Sequence, residues 1–142
     1  MSDLFETIKQ NMDLEDIDTV NYSPLTFAYI GDAVYEVVIR TMIVDEANRS
    51  VNTIHKMASN YVKAATQAKL ADSLMDEFSE DELAVFKRGR NAKINTKAKN
   101  ASLSDYKKAT GLEAVVGWLY LNNKSDRMME LVKKGLESIE ID

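Results

Sequence analysis

The chain has 142 residues, of which 45% are hydrophobic and 29% charged, with five glycines and one proline. This length and composition predict one globular, helix-rich domain with a single core. The absence of cysteine and the presence of one histidine, His55, exclude disulfides, thiolate zinc sites and any site that needs two imidazoles. Any chemistry would therefore depend on carboxylates, hydroxyls, amines or an oxygen-liganded cation such as Mg²⁺.

The net charge of −5 conceals a basic segment. Between Lys87 and Lys108 the chain has eight lysines and arginines and the single acid Asp105. A basic segment on an acidic body favours a local contact with a polyanion, although such a run is also typical of a solvated face.

The N-terminal region and the sequence hydropathy predict a cytoplasmic protein. No apolar run approaches the roughly 20 residues that span a bilayer, and the N-terminus is acidic and amphipathic, unlike a signal peptide. Residues 1–22 are a weakly specified lead-in, with a short helix over 2–11 and an acidic connector over 13–18.

Hydrophobic periodicity predicts helices along the rest of the chain. Ser23 and Pro24 are typical of a helix start, and one long apolar helix is expected from Pro24 to about Asp45. A short helix is expected over residues 51–58, and a second one, capped by Ser59, to about residue 78. Ser79 and Glu82 form a capping-box pattern that starts a helix ending near residues 88–91.

Residues 91–104 are predicted to be a loop, and we expect the basic stretch of about 87–104 to be mobile. A second strongly apolar helix is expected from about Tyr106 to Asn122, and a last one, capped by Ser125, to about Ile139. No alternating strand pattern is present, so the predicted fold is all-α and the whole chain is a single domain.

Each of the two most apolar helices contains an isolated acid, Asp32 after Gly31 and Glu113. If these helices pack side by side, the two carboxylates could converge, and paired carboxylates suit Mg²⁺. An alternative remains open, because Asp32, Glu36 and Arg40 are spaced four residues apart and could form one polar stripe in which Glu36 pairs with Arg40. A glycine inside a helix costs roughly 1 kcal/mol relative to alanine, so Gly31 needs a structural reason.

Three segments resemble the ribonuclease III family. FAYIGDAVYEVVIR at Phe27 to Arg40 is similar to that family's signature, and LEAVVGWLYLN at Leu112 to Asn122 is similar to its second catalytic segment. FKRGRNAK at Phe86 to Lys93 is similar to a segment typical of the Mini-ribonuclease III branch. The resemblance covers roughly Pro24 to Lys134.

This resemblance implies an all-α homodimer that cleaves double-stranded RNA with Mg²⁺. Asp32 and Glu113 match the family's catalytic metal-binding acids. Gly31 would allow close approach of a neighbouring backbone, expected at the dimer seam, while Glu36 and Arg40 would be supporting or structural residues. The RNA-binding residues that we expect on the basic stretch are Lys87, Arg88, Arg90, Lys93, Lys97 and Lys99.

Two departures from the larger enzymes leave alternatives open. Ala28 and Thr110 occupy positions where those enzymes have further acids, so the resemblance implies either one metal or two. Without a double-stranded-RNA-binding domain in this sequence, RNA binding would come from this domain. The resemblance to the Mini branch implies maturation of the 23S ribosomal RNA precursor, with a ribosomal protein as a further partner. The alternative function is a non-catalytic module that binds duplex RNA or the ribosome.

Overall fold

The computed structural model describes residues 4–46, 48–93 and 102–139, and these form α-helices joined by short connections. A single turn of 3₁₀ helix, Thr19–Asn21, precedes the second helix. The α-helices are α1 Leu4–Asn11, α2 Pro24–Glu46, α3 Val51–Val62, α4 Ala64–Leu74, α5 Glu80–Arg90, α6 Leu103–Leu121 and α7 Ser125–Glu137. No strand occurs in these ranges, which confirms the all-α prediction.

Side-chain caps fix the beginnings of three helices. The Ser50 hydroxyl accepts a hydrogen bond from the Thr53 backbone N–H at the start of α3, and Ser102 accepts one from Asp105 at the start of α6. At α5 the predicted capping box is complete, since Ser79 and Glu82 each accept a hydrogen bond from the other's backbone N–H.

Three predicted boundaries were wrong. The break in the middle of the chain lies at Lys63, whose ψ of 151° is extended, and not at Ser59, whose hydroxyl donates to the Lys56 carbonyl inside α3. Helix α6 begins at Leu103, earlier than Tyr106, because Ser102 caps it. At α7 the N-cap is Lys124, and Ser125 is the first helical residue.

The predicted basic loop is partly helical. Residues 87–90 form the last turn of α5, and Leu103 and Ser104 form the first turn of α6. Basic side chains in the last turn of a helix interact favourably with the partial negative charge of its carbonyl end, which stabilises this turn. Lys97 and Lys99 lie outside the described residues.

Helix α6 lies at the centre of the fold and packs against α2, α4 and α5. It is buried on nearly all sides along residues 109–119, as expected for a helix without an amphipathic pattern. The core that surrounds it is aliphatic and aromatic; its most deeply buried large side chains are Tyr35, Phe27, Phe86, Ile39, Leu70, Leu74 and Leu119. No helix among the described residues is long and apolar enough to cross a membrane.

Two glycines bring α2 and α6 into direct backbone contact. A Cβ added at Gly31 would lie 1.8 Å from the Glu113 carbonyl oxygen, and one added at Gly117 would lie 1.9 Å from the Phe27 carbonyl oxygen. Only a residue without a side chain fits at these two positions. The expected close approach at Gly31 therefore occurs, but the expectation of a dimer seam there was wrong, because the approaching backbone is α6 of the same chain.

A partly buried ion pair connects α5 to α7. The guanidinium of Arg127 donates to both carboxylate oxygens of Glu82 at 2.9 Å and to the Glu77 carbonyl at 2.8 Å. The hydrogen bonds from Arg127 are the largest influence holding the pKa of Glu82 below its ordinary value. Because Glu82 is also the capping-box residue of α5, one carboxylate fixes both the helix start and the helix–helix contact.

Candidate active site

Glu113 lies at the point where α2 and α6 cross. Its own carbonyl is the group that contacts Gly31, so its side chain leaves α6 directly beside the α2 backbone. The side chain is half-buried between the two most apolar helices of the chain. The fold thus places a carboxyl group where water cannot fully solvate its charge.

Asp32 approaches Glu113 from the neighbouring helix. It follows Gly31 on α2 and is exposed, whereas the sequence had suggested a carboxylate enclosed by apolar neighbours. Both acids line one cleft of about 420 Å³, together with Tyr29, Tyr106 and Thr110. The predicted convergence of the two acids is therefore confirmed, with Asp32 at the surface and Glu113 beneath it.

This arrangement raises the pKa of Glu113. Burial, the hydrogen bond between the two carboxyl groups and the charge of Asp32 together raise it from an ordinary 4.5 to about 9. Glu36 raises it further, while the side chain of Gln67 lowers it. This shift favours the protonated form of Glu113, whereas a cation bound beside it would favour the ionised form.

Glu36 takes part in both arrangements that the sequence left open. Its carboxylate accepts a hydrogen bond from the Arg40 guanidinium at 3.2 Å, one helical turn further along α2. The same carboxylate lies close enough to Glu113 to raise its pKa. Arg40 thus compensates a charge that would otherwise add to the repulsion between Asp32 and Glu113.

The donor set fits a hard divalent cation held partly by solvent and substrate. Ala28 is buried and offers no ligand, and the Thr110 hydroxyl donates to the Tyr106 carbonyl at 3.0 Å inside α6. Among the described residues no group of three or more acids or histidines is arranged to hold a metal. Two carboxylates, completed by water and phosphate oxygens, are a common Mg²⁺ environment, so Asp32 and Glu113 would suffice.

The basic residues of the last turn of α5 lie beside this part of α6. Gly89 packs so tightly against α6 that an added Cβ would lie 2.9 Å from the Ala114 Cβ. Arg88 and Arg90 flank this contact; the Arg88 guanidinium donates to the Tyr22 carbonyl at 3.2 Å, and that of Arg90 lies 5.7 Å from the centre of the Phe86 ring.

Among the described residues, these cations have no acidic partner. Within the described parts of the chain, no ion pair joins Lys87, Arg88, Arg90 or Lys93 to a carboxylate, whereas Lys108 on α6 pairs with Asp72 at 2.9 Å. The last turn of α5 therefore presents uncompensated positive charge near the carboxylate pair.

Sequence interpretation missed two polar residues close to Glu113. Tyr35 is fully buried, and its pKa is raised, chiefly by burial and secondly by the charge of Glu113. Gln67 is 3% exposed and lies on the buried face of α4. A signal for Gln67 was present, because it is the one polar residue in the series 67, 70, 71 and 74, whose other members are apolar and have helical spacing.

Residues of other types lie outside the site. His55 is exposed on α3 and is not among the residues that line the cleft. Met128 is buried in the core, whereas Met129 is 40% exposed.

The helical fold is that of a known family of nucleases. The model of the Ribonuclease III domain matches residues 25–124, a range that includes both acids and the glycine crossing. The chain belongs to the ribonuclease III family, whose members are endoribonucleases, that is, hydrolases that cut phosphodiester bonds within RNA.

The similar proteins include members of one branch of this family. A Mini-ribonuclease 3 of Clostridium tetani is 48% identical over 117 residues, which are 82% of this chain and 78% of that protein. One from Staphylococcus aureus is 43% identical over 114 residues, covering 79% and 85% respectively. The crystal structure of protein FN1578 from Fusobacterium nucleatum superposes with a TM-score of 0.77 at 27% identity, covering 85% of this chain and 97% of that one.

Proposed function

We propose that this chain is a divalent-metal-dependent endoribonuclease that acts on double-stranded RNA as a homodimer. The observation that carries the proposal is the convergence of Asp32 and Glu113 on one cleft from two helices far apart in the sequence. A protein that only bound RNA would gain nothing from two acids facing phosphate groups, because their charges repel it.

Asp32 and Glu113 would hold Mg²⁺, and neighbouring residues would set its place. Bound there, Mg²⁺ supplies positive charge that activates a water molecule and offsets the charge that develops on the scissile phosphate. Asp32, at the mouth of the cleft, would meet the cation first. Glu113 would ionise as the cation replaces its proton, and the backbone contact at Gly31 would keep the two carboxyl groups at a fixed separation.

The substrate backbone would be held by the cations Lys87, Arg88, Arg90 and Lys93, with Lys97 and Lys99 as further contacts from the predicted loop. A-form duplexes are recognised through shape, phosphates and 2′-hydroxyls, because side chains cannot read the deep, narrow major groove. Uncompensated charge on a rigid helix end suits contacts of this kind.

An apolar stripe on the outer face of α2 supports the homodimer. Leu25, Tyr29, Ala33 and Val37 are exposed and four residues apart, with Tyr29 82% and Val37 55% exposed. Asp32 lies next to Ala33, so a partner docked on this stripe would bring a second cleft close to the first. Two equivalent sites suit a duplex whose strands are antiparallel.

The natural substrate that we propose is the 23S ribosomal RNA precursor, cleaved in the cytoplasm, with a ribosomal protein as a further partner of the complex. The support for this assignment is the similarity to Mini-ribonuclease III across most of the chain.

The test is cleavage of a long RNA duplex at low salt, in Mg²⁺ or in a chelator, by the wild-type protein and by Asp32→Asn. Metal-dependent cleavage should be lost in the variant, by at least about 10²-fold, because the neutral amide cannot compensate the cation, while duplex binding should be retained. Binding without cleavage in Mg²⁺ or Mn²⁺ by the wild-type protein would refute the enzyme and favour the non-catalytic RNA-binding module.

A further inference from the structure

Gln67 is energetically unfavourable at its buried position. It occupies the first turn of α4, which packs against α6, and is 3% exposed. Its side-chain nitrogen, Nε2, has no hydrogen-bond acceptor in the described part of the structure, and no other fully buried side-chain polar atom there lacks a partner. An unsatisfied buried amide costs about 1–3 kcal/mol, whereas an apolar side chain of the same length would cost nothing of this kind.

The neighbour of this amide is the carboxyl group of Glu113. The side chain of Gln67 lies within hydrogen-bonding reach of that carboxyl group, and an amide N–H is a donor that a carboxylate oxygen accepts. Gln67 belongs to α4, whereas Asp32 belongs to α2.

We infer that Gln67 is a positioning residue for metal binding: its amide holds one oxygen of the Glu113 carboxylate and leaves the other oxygen turned toward Asp32 and the cation. The otherwise unpaired Nε2 would then have that carboxylate as its acceptor. The inference rests on the proposed function, because it assigns to Gln67 a role in the same metal site.

Hydrogen-bond donors to a ligating carboxylate affect the metal affinity of protein sites. A group that hydrogen-bonds a ligating carboxylate fixes its orientation, and loss of such a group typically weakens metal affinity by about 10–100-fold. A residue that only fills space in the core would give a different result, because its replacement would change stability and leave metal affinity unaltered.

The experiment measures Mn²⁺ binding without RNA, by the decrease of the electron paramagnetic resonance signal of free Mn²⁺, in the wild-type protein and in Gln67→Met. Methionine keeps the length and removes the donor. We expect the dissociation constant to rise about 10–100-fold. In chelator, the melting temperature should be unchanged or higher, because an unsatisfied amide has been removed.

A matched control comes from the preceding residue. Thr66 is also buried, and its hydroxyl donates to the Asn60 carbonyl at 2.6 Å, away from Glu113. Thr66→Val should lower the melting temperature and leave Mn²⁺ affinity unchanged. Gln67→Leu serves as a second donor-free variant.

The outcomes separate this inference from the proposed function. If the wild-type protein binds Mn²⁺ and Asp32→Asn does not, while Gln67→Met binds as tightly as the wild type, the inference about Gln67 fails and the metal-dependent enzyme stands. A wild-type protein that binds no Mn²⁺ overturns both. If both apolar variants at residue 67 are unfolded, the amide is structural and the inference is overturned.

Discussion

Replacement of Gly31 by alanine tests whether the backbone contact between α2 and α6 holds the site together. The new Cβ would lie 1.8 Å from the Glu113 carbonyl oxygen and 2.8 Å from the Gly117 nitrogen, against 3.4 Å or more in an ordinary contact. The two helices would have to separate by about 1.6 Å here, since neither obstacle is the end of a flexible side chain.

The expected cost combines two opposing contributions. Alanine is a better helix former than glycine by about 1 kcal/mol, which favours the variant. Overpacking of a rigid core costs about 1–3 kcal/mol and occasionally more, and a backbone obstacle places Gly31→Ala at or beyond the upper end. We expect a net loss of about 2 kcal/mol or more, or a fall of roughly 8 °C in the melting temperature for a chain of this size.

The functional effect should exceed the loss of stability. Separation of α2 from α6 moves Glu113 away from Asp32, and a displacement of about 1 Å in a catalytic group can lower the rate by about 10²-fold. Calorimetry and the duplex cleavage assay, performed well below the melting temperature, measure the two effects separately.

Gly135→Ala on α7 is the matched control, because its Cβ would meet side chains and no backbone, namely Leu70 at 3.2 Å and Leu74 at 3.4 Å. We expect this variant to keep its cleavage rate and to change little in stability. A Gly31→Ala protein that melts within about 2 °C of the wild type and cleaves at the wild-type rate would refute the argument that the crossing positions the site.

Three further predictions concern charge and assembly. Because the pKa of Glu113 is raised from 4.5 to about 9, the native protein without metal loses stability as the pH rises between these two values. Glu113→Gln does not titrate, so it should be more stable than the wild type by up to about 3 kcal/mol at pH 7 and by little near pH 4. Urea unfolding at the two pH values measures this difference. Equal differences at both pH values would contradict this. Gln in place of Arg88 and Arg90 should lower the slope of log affinity against log salt for duplex RNA by about 1 per lost phosphate contact, whereas Lys133→Gln on α7 should not; an unchanged slope would count against the role of α5. In sedimentation at micromolar concentration the wild type should have twice the chain mass and Val37→Glu a single chain mass, and a monomeric wild type would contradict the two-site arrangement.

The sequence by itself determined the all-helical content and indicated Asp32 and Glu113 as the candidate acids. The capping box at Ser79 and the start at Pro24 depend on hydrogen bonds between neighbours in the chain, so local sequence specifies them. The resemblance that identified Asp32 and Glu113 also depended on short contiguous motifs, and the family match confirms the family.

Only the tertiary structure decided how those acids meet. Gly31 and Gly117 are 86 positions apart, and nothing local indicates that each accepts the other helix's backbone. The neighbour of the Gln67 amide is likewise a carboxyl group on another helix. Local sequence also does not show that Asp32 is more exposed than Glu113. Packing distances between distant segments set these features, and periodicity along one helix does not record them.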